Sequence, residues 1–479
     1  MRGNSQKTLC HEIKCSNTKY KCYYVTEHLK IIIKSDKMTN AVAARWLAEK
    51  ITDRTTRGIA LETSALIRAG ILPVGSRLPA LRDLAFELGV SPATLSEAWS
   101  KLRRHKIITG RGRNGTWVSS ERFIAKPERF ASAGNYGLDA LDLTLAVPDM
   151  SLLPSLTEAL VHAASLENIN NYERSRIIPE LSDTVLSRWP YEPEALLVTN
   201  GGYNAFYTAL RALVSPGSTV AIEHPTAMRL LDILEDFGTK IIPVSCDDQG
   251  PRTDSLLEAL KQHPAAFVFQ PRLHSVTGQT VTTERLAELG DALNGSDTLI
   301  FEDDGIADIS PAKPHSLGNR FPNRTVHILS YSKTLGPDLR LAVLSSSETI
   351  VEQIQSYRAF SAGWTSRILQ GAAAWLLCNP DTWKTVQHAR SIYQQRRNGL
   401  ANALGRHGVE TLPGGGLCLW VPVASEPFAM VTLAARNIAV NPGSKFSMVP
   451  VDYIRVATST LREEYFEEVA DAISLAHTR

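Results

Sequence analysis

SYSKTLGPDLR, residues 330–340, ends one buried-looking strand, Val326–Ser330, and leads directly into another, Leu341–Leu344. It sets Lys333 between Ser332 and Thr334, two residues after a tyrosine, with Ser330 before it and Arg340 seven residues on. Two other strand ends carry matching chemistry. TNGGYNAF (199–206) puts Gly201 and Gly202 between the strand Leu196–Thr199 and the helical stretch Tyr203–Leu213. Bare backbone amides and a helix N-terminus at such a turn can hold a phosphate. IFEDDG (300–305) puts Asp303 and Asp304 at the end of the strand Thr298–Phe301. Taken singly, each of these residues is more often a solvated strand end. Taken together they meet the needs of pyridoxal 5′-phosphate: a lysine amine to form the imine, a carboxylate to keep the pyridine nitrogen protonated, and serine hydroxyls with an arginine to balance a phosphate dianion.

Outward from these three turns, further buried-looking strands at Thr219–Ile222 and Ala265–Phe269 alternate with helical stretches such as Glu284–Leu293. This alternation predicts an α/β fold with a mostly parallel sheet. From about residue 140 to residue 479 the motifs resemble those of the fold-type I aminotransferases. The resemblance implies that Lys333 is the Schiff-base lysine and that Asp303, rather than Asp304, faces the pyridine nitrogen. It also implies that Ser330, Ser332, Arg340 and the Gly201-Gly202 turn hold the phosphate, and that Tyr172 reaches the phosphate across a dimer. Arg455, in IRVATS (454–459), matches the arginine that clamps an amino acid carboxylate, a task suited to its planar fork. Three positions depart from the pattern: Ala227 stands where relatives stack an aromatic ring on the cofactor, Gly305 where many have a tyrosine, and Ser275 where an asparagine is frequent. Such a site reads as kept for binding and relaxed for turnover.

Nearer the N-terminus, the apolar positions between Ala43 and Ala69 fit helices with a break around Asp53–Gly58. A helix over Leu81–Leu88 follows, then Gly89 as a turn, then Ser91 and Pro92 as N-cap and first-turn proline of a second helix through Leu102. Two short helices around so tight a turn make a helix-turn-helix, whose second helix enters the major groove. Ile107–Val118 alternates and contains RGRNGTWV, a hairpin with Asn114-Gly115 at its tip, which reads as a wing. Six Lys or Arg fall between Lys101 and Arg113, with no acid from Ala98 to Ser120, as a phosphate backbone requires. The alternative is a solvated helix end. GxxLPxxRxLAxxLGVSxxTxxxAxxxL over Gly75–Leu102, followed by a glycine-tipped wing, resembles the GntR-type winged helix. By that resemblance Arg82, Ser91, Thr94, Arg113 and Gly115 contact DNA. The family usually has arginine where Pro92 stands, so the resemblance implies no base choice at that position.

The chain has 479 residues, 43% hydrophobic and 21% charged, enough for two to four domains and a sizeable core. No apolar run approaches the roughly 18 residues of a membrane span, and the expected location is the cytoplasm. Formal net charge is only +2, so any basic surface has to be local. Residues 1–37 hold eight Lys or Arg against three Asp or Glu and read as a disordered extension, without which the net charge is −3. Cys10, Cys15 and Cys22, with His11, are a poor match to paired zinc-ligand spacing, and no metal site is expected. The expected organisation is a winged helix over 40–118, a linker over 119–139 and the cofactor domain over 140–479. That order resembles the MocR regulators of the GntR superfamily. SKTLGPDLRLA (332–342) and GGGLCLWVPV (414–423) are especially similar to a branch tied to vitamin B6 supply or a related amine or amino acid pathway. The resemblance implies a homodimeric transcription regulator that binds a double-stranded operator and senses an amine, an amino acid or pyridoxal phosphate. The alternative is a working aminotransferase with an accessory DNA-binding module.

Overall fold

The computed structural model describes residues 42–68, 70–110, 115–119, 129 and 140–477. Residues 1–37 and the cysteines among them lie outside the described residues. The N-terminal head contains α1 (Ala44–Lys50), α2 (Thr56–Arg68), β1 (Arg77–Leu78), α3 (Leu81–Leu88), α4 (Pro92–Arg104), β2 (Ile108–Thr109) and β3 (Thr116–Val118). Gly89, in the left-handed region at φ 65°, ends α3 and returns its N–H to the Ala85 and Phe86 carbonyls. Two residues on, the Ser91 hydroxyl accepts from Thr94 N–H at 3.0 Å and Pro92 opens α4, so both ends of the turn are satisfied locally. Leu84, Leu88, Leu95, Ala98, Trp99 and Leu102 close over Leu47, Ile51 and Ile59 of α1 and α2. The strands form an antiparallel sheet in the order β1-β3-β2, the wing expected from the hairpin signal, with Gly115 at φ 89°.

After β4 (Leu141–Asp142) come α5 (Thr157–Ala164), α6 (Pro179–Leu186), β5 (Ala195–Thr199), α7 (Gly202–Leu213), β6 (Thr219–His224), α8 (Met228–Phe237), β7 (Lys240–Asp247), β8 (Gly250–Pro251), α9 (Thr253–Leu260), β9 (Ala266–Phe269) and α10 (Thr283–Leu293). Next are β10 (Leu299–Asp304), β11 (Thr325–Ser330), β12 (Ala342–Ser346), α11 (Glu348–Arg358), α12 (Arg367–Cys378) and α13 (Pro380–Arg406). The large sheet runs β5-β12-β11-β10-β9-β6-β7-β8. Pairings β6–β7, β6–β9, β9–β10 and β10–β11 are parallel; β12 is antiparallel to both neighbours, which leaves β5 pointing the same way as β11. Both faces are covered by helices, so the strands read as continuous apolar runs. Leu197, Ile222, Val268, Phe301, Ile328 and Leu344 pack toward α7, α8 and α11, while their neighbours Leu196, Val198, Leu329 and Val343 pack toward α5, α6 and α12.

A smaller C-terminal layer holds β13 (Cys418–Pro422), α14 (Glu426–Ala434), β14 (Ile438–Ala439), β15 (Asn441–Pro442), β16 (Tyr453–Ala457) and α15 (Phe466–His477). Its antiparallel sheet, β13-β16-β15, packs on α14, α15 and the end of α13 through Leu404, Leu419, Val421, Leu433, Val456 and Ile473. No described helix is long and apolar enough to cross a membrane.

Head and body meet on α8. Arg57 of α2 forms an ion pair with Glu235. Arg129, from the stretch between the two, places Nη1 and Nη2 2.5 and 2.7 Å from the same carboxylate and donates its backbone N–H to Asp232 at 3.2 Å. A methyl group added to Gly238 would sit 2.8 Å from the Ala65 side chain, so α2 and the end of α8 are in close approach.

Candidate functional site

Because β5, β10 and β11 point the same way, the turns that follow them open on one edge of the sheet, where ligand crevices of open α/β sheets lie. Gly201 caps the N-terminus of α7 at φ 98° and ψ 162°, a conformation that L side chains rarely adopt. Space is as restrictive as the backbone. A Cβ on Gly201 would lie 2.8 Å from Arg340 Nη2, and one on Gly202 would lie 3.1 Å from the Ser330 Cβ. The result is a cradle with a helix dipole at its base, a guanidinium on one side and the Ser330 hydroxyl on the other. Arg340 itself is held at φ 46° and donates to the Asn200 carbonyl at 3.0 Å. Ser330 Oγ lies 3.4 Å from Ser332 Oγ. Tyr172 is not drawn into the cradle of its own chain: it is 89% exposed and stands edge-on to Trp364.

Alternation along β10 separates the two aspartates. Asp304 turns to the opposite face, where Arg272 pairs with it at 2.7 Å and also reaches Asp308. Asp303 turns toward the cradle: it is only 7% exposed, and its Oδ1 lies 4.0 Å from where a Gly202 Cβ would stand and 3.4 Å from that of Gly305. Among the described residues it receives no hydrogen bond. Burial, then the Asp304 and Glu223 carboxylates, pushes its pKa up to about 7. A cation seated above it would return the carboxylate to its ionised form.

Lys333 donates from Nζ to the Ala146 carbonyl at 2.8 Å, and Arg455 donates from Nη2 to the Thr144 carbonyl at 2.6 Å. The segment that follows β4 therefore crosses the site and engages both cations. Burial, then the Arg455 charge, lowers the Lys333 pKa to about 8, which leaves a usable fraction of free amine at neutral pH. Arg455 is 7% exposed, its guanidinium stacks 4.4 Å from the Phe446 ring, and its Nε has no hydrogen-bond partner among the described residues. Behind it the Cys418 thiol donates to the Ser275 and Val276 carbonyls at 3.3 and 3.4 Å. Ser275 is half-buried and takes the Gln270 side chain on its own N–H.

Two further side chains were not singled out from the sequence. Tyr203, the second residue of α7, and Arg229, the second of α8, meet with the guanidinium 5.2 Å from the phenol centroid. Both lie within electrostatic reach of the site: Arg229 acts on Lys333, and Asp303 and Arg455 act on Tyr203. Aromatic and basic residues in the first turns of amphipathic helices are the only sequence signal for this pair, and that signal is common.

In the head, Arg82 is exposed on the first turn of α3, and Ser91 and Thr94 hydroxyls lie 2.8 Å apart at the start of α4. Gly115 brings the wing backbone against Arg77, whose guanidinium lies 5.7 Å from the Trp117 ring; Arg77 thus joins this basic surface. Arg113 lies outside the described residues. A cleft of about 930 Å³ between α3, α4 and the base of the wing carries Asp83 beside Arg77 and Arg103, so its charge is mixed and it is remote from the lysine site.

Comparison with known proteins places this geometry. Residues 139–473 match the family model described as aminotransferase class I and II, and residues 55–118 match the gntR family of bacterial regulatory proteins. The chain is similar to the vitamin B6 salvage pathway transcriptional repressor PtsJ of Salmonella typhimurium, 29% identical across 86% of this chain and 96% of that one. It is also similar to the HTH-type transcriptional regulator TauR of Rhodobacter capsulatus, 27% identical across 79% and 87%. Among solved structures, the kynurenine aminotransferase of Pyrococcus horikoshii superposes with a TM-score of 0.65 at 20% identity, covering 71% of this chain and 92% of that one.

Proposed function

Given that the chain belongs to the aminotransferase class I and II family, with a gntR-family domain ahead of it in the arrangement of the MocR regulators, we propose that it is a DNA-binding transcription regulator whose body binds pyridoxal 5′-phosphate and senses a ligand there. The observation that carries this reading is the pairing, in one chain, of a capped winged helix with a phosphate cradle, a carboxylate that is buried without a hydrogen bond among the described residues, and a lysine whose pKa is lowered to about 8. When bound, pyridoxal phosphate supplies an aldehyde for amines and a ring that withdraws electrons from them. The Gly201 and Gly202 amides, Ser330, Ser332 and Arg340 hold the phosphate. Asp303 holds a proton on the pyridine nitrogen, Lys333 offers its amine, and Arg455 receives the carboxylate of an amino acid effector.

Similarity to PtsJ supports vitamin B6 or a related amine or amino acid pathway as the regulated process. Arg82, Ser91, Thr94, Arg113 and Gly115 form the operator surface. Exposed Tyr172, with exposed Phe360 in the turn before Trp364, supports a homodimer in which Tyr172 serves the partner's cradle. The preserved Lys333, Asp303 and Arg455 favour a second reading, residual aminotransferase activity in the same site.

Operator titrations with cofactor-free protein, cofactor-loaded protein and Lys333→Ala decide between them. Regulation predicts different operator affinities for the free and loaded forms, with amino-donor turnover near background. Equal affinities in all three, with brisk turnover, reject it.

A further inference from the structure

A pyridine ring held at this site needs an apolar face to lie against, and the position that supplies one in similar sites is Ala227 here, a buried methyl at the N-cap of α8. Tyr203 reaches the same region from another element. Its backbone follows Gly202, whose Cβ position lies 4.0 Å from Asp303 Oδ1 and 3.1 Å from Ser330. Its ring reaches across to the start of α8, where the Arg229 guanidinium lies 5.2 Å from its centroid, two residues beyond Ala227. The ring therefore spans the distance from cradle to α8, and the residue keeps 36% of its surface exposed. An aromatic with one face against a guanidinium and surface left open is arranged to receive a second flat, electron-poor group.

We infer that Tyr203 supplies the aromatic surface against which the pyridine ring of pyridoxal phosphate packs, in place of the ring missing at Ala227. The inference rests on reading the site as a pyridoxal phosphate site. It assigns Arg229 a positioning role, since the cation on the outer face holds the phenol in its orientation. Moving the aromatic from the α8 cap to α7 couples the ring contact to the phosphate cradle, because Gly202 and Tyr203 are adjacent in one helix turn. Cofactor affinity and phosphate geometry then change together.

The test is a titration of pyridoxal phosphate, followed by cofactor absorbance and visible circular dichroism, on wild type, Tyr203→Phe, Tyr203→Ala and the double variant Tyr203→Ala with Ala227→Tyr. Tyr203→Phe keeps wild-type affinity. Tyr203→Ala loses about tenfold, in the range expected for a ring stack, and shifts the absorption band, with the thermal midpoint of the cofactor-free protein unchanged. The double variant regains affinity by restoring a ring on α8. Wild-type binding together with an unaltered affinity and band in Tyr203→Ala overturns this inference alone. Absence of binding by the wild type overturns the site reading and this inference with it.

Discussion

Burial disfavours the charged forms of both Asp303 and Lys333, and so shifts their pKa values in opposite directions. Burial holds the lysine pKa down to about 8 and the aspartate pKa up to about 7, so both titrate close to neutrality. For Asp303 the folded pKa exceeds the ordinary value of 3.8, so the fold binds a proton that the unfolded chain releases. Stability of the cofactor-free protein should then fall as pH rises from about 4 through about 7. Asp303→Asn removes that dependence. It should raise stability of the cofactor-free protein at pH 7.5, because a neutral amide carries no charge to be buried, while weakening pyridoxal phosphate at least tenfold. Thermal melts across pH 4–8 and a cofactor titration check both parts; a destabilised variant with intact cofactor affinity would remove Asp303 from the site.

Helix α8 reaches from the neighbourhood of the lysine site to the head. Ala227 caps it and Arg229 lies in its first turn against Tyr203, and its later turns bear Asp232 and Glu235, which Arg57 and Arg129 grip from the head and the connecting stretch. A helix of ten residues transmits a shift at one end to the other with little loss, since its backbone hydrogen bonds resist bending. Glu235→Lys places a third cation beside two arginines, repelling the head without entering the lysine site. The expected outcome is unchanged pyridoxal phosphate affinity and loss of the difference in operator affinity between free and loaded protein. Fluorescence anisotropy on labelled operator reads it, and a difference of wild-type size would route the coupling elsewhere.

For the whole molecule the decisive quantity is the number of chains. Under the proposed dimer, exposed Tyr172 of one copy serves Arg340 of the other, and two copies present two winged helices to a two-part operator. Tyr172→Ala should weaken cofactor binding about tenfold, as loss of a hydrogen bond to a charged group does. Mixing it with Arg340→Ala should recover one intact cradle per mixed dimer, measurable as cofactor stoichiometry. No recovery after subunit exchange would assign Tyr172 to surface packing.

The local features were legible in the sequence because each is written in consecutive residues. The Gly89, Ser91 and Pro92 signals placed α3 and α4, and the alternation of apolar runs with helical stretches placed β5, β6, β9, β10 and β11. The small sheet β13-β16-β15 was not read out, and β12 was read as a strand over Leu341–Leu344 without its antiparallel direction, since short strands in irregular surroundings carry little period and strand direction carries none. By itself, the sequence determined a winged helix followed by an α/β body with glycine, aspartate and lysine-bearing strand ends. Only the tertiary structure decided that Asp303, and not Asp304, stands beside Gly202, that Tyr203 meets Arg229 near Ala227, and that α8 reaches from there to the head. These are distances between residues far apart in the chain, set by strand order and helix direction.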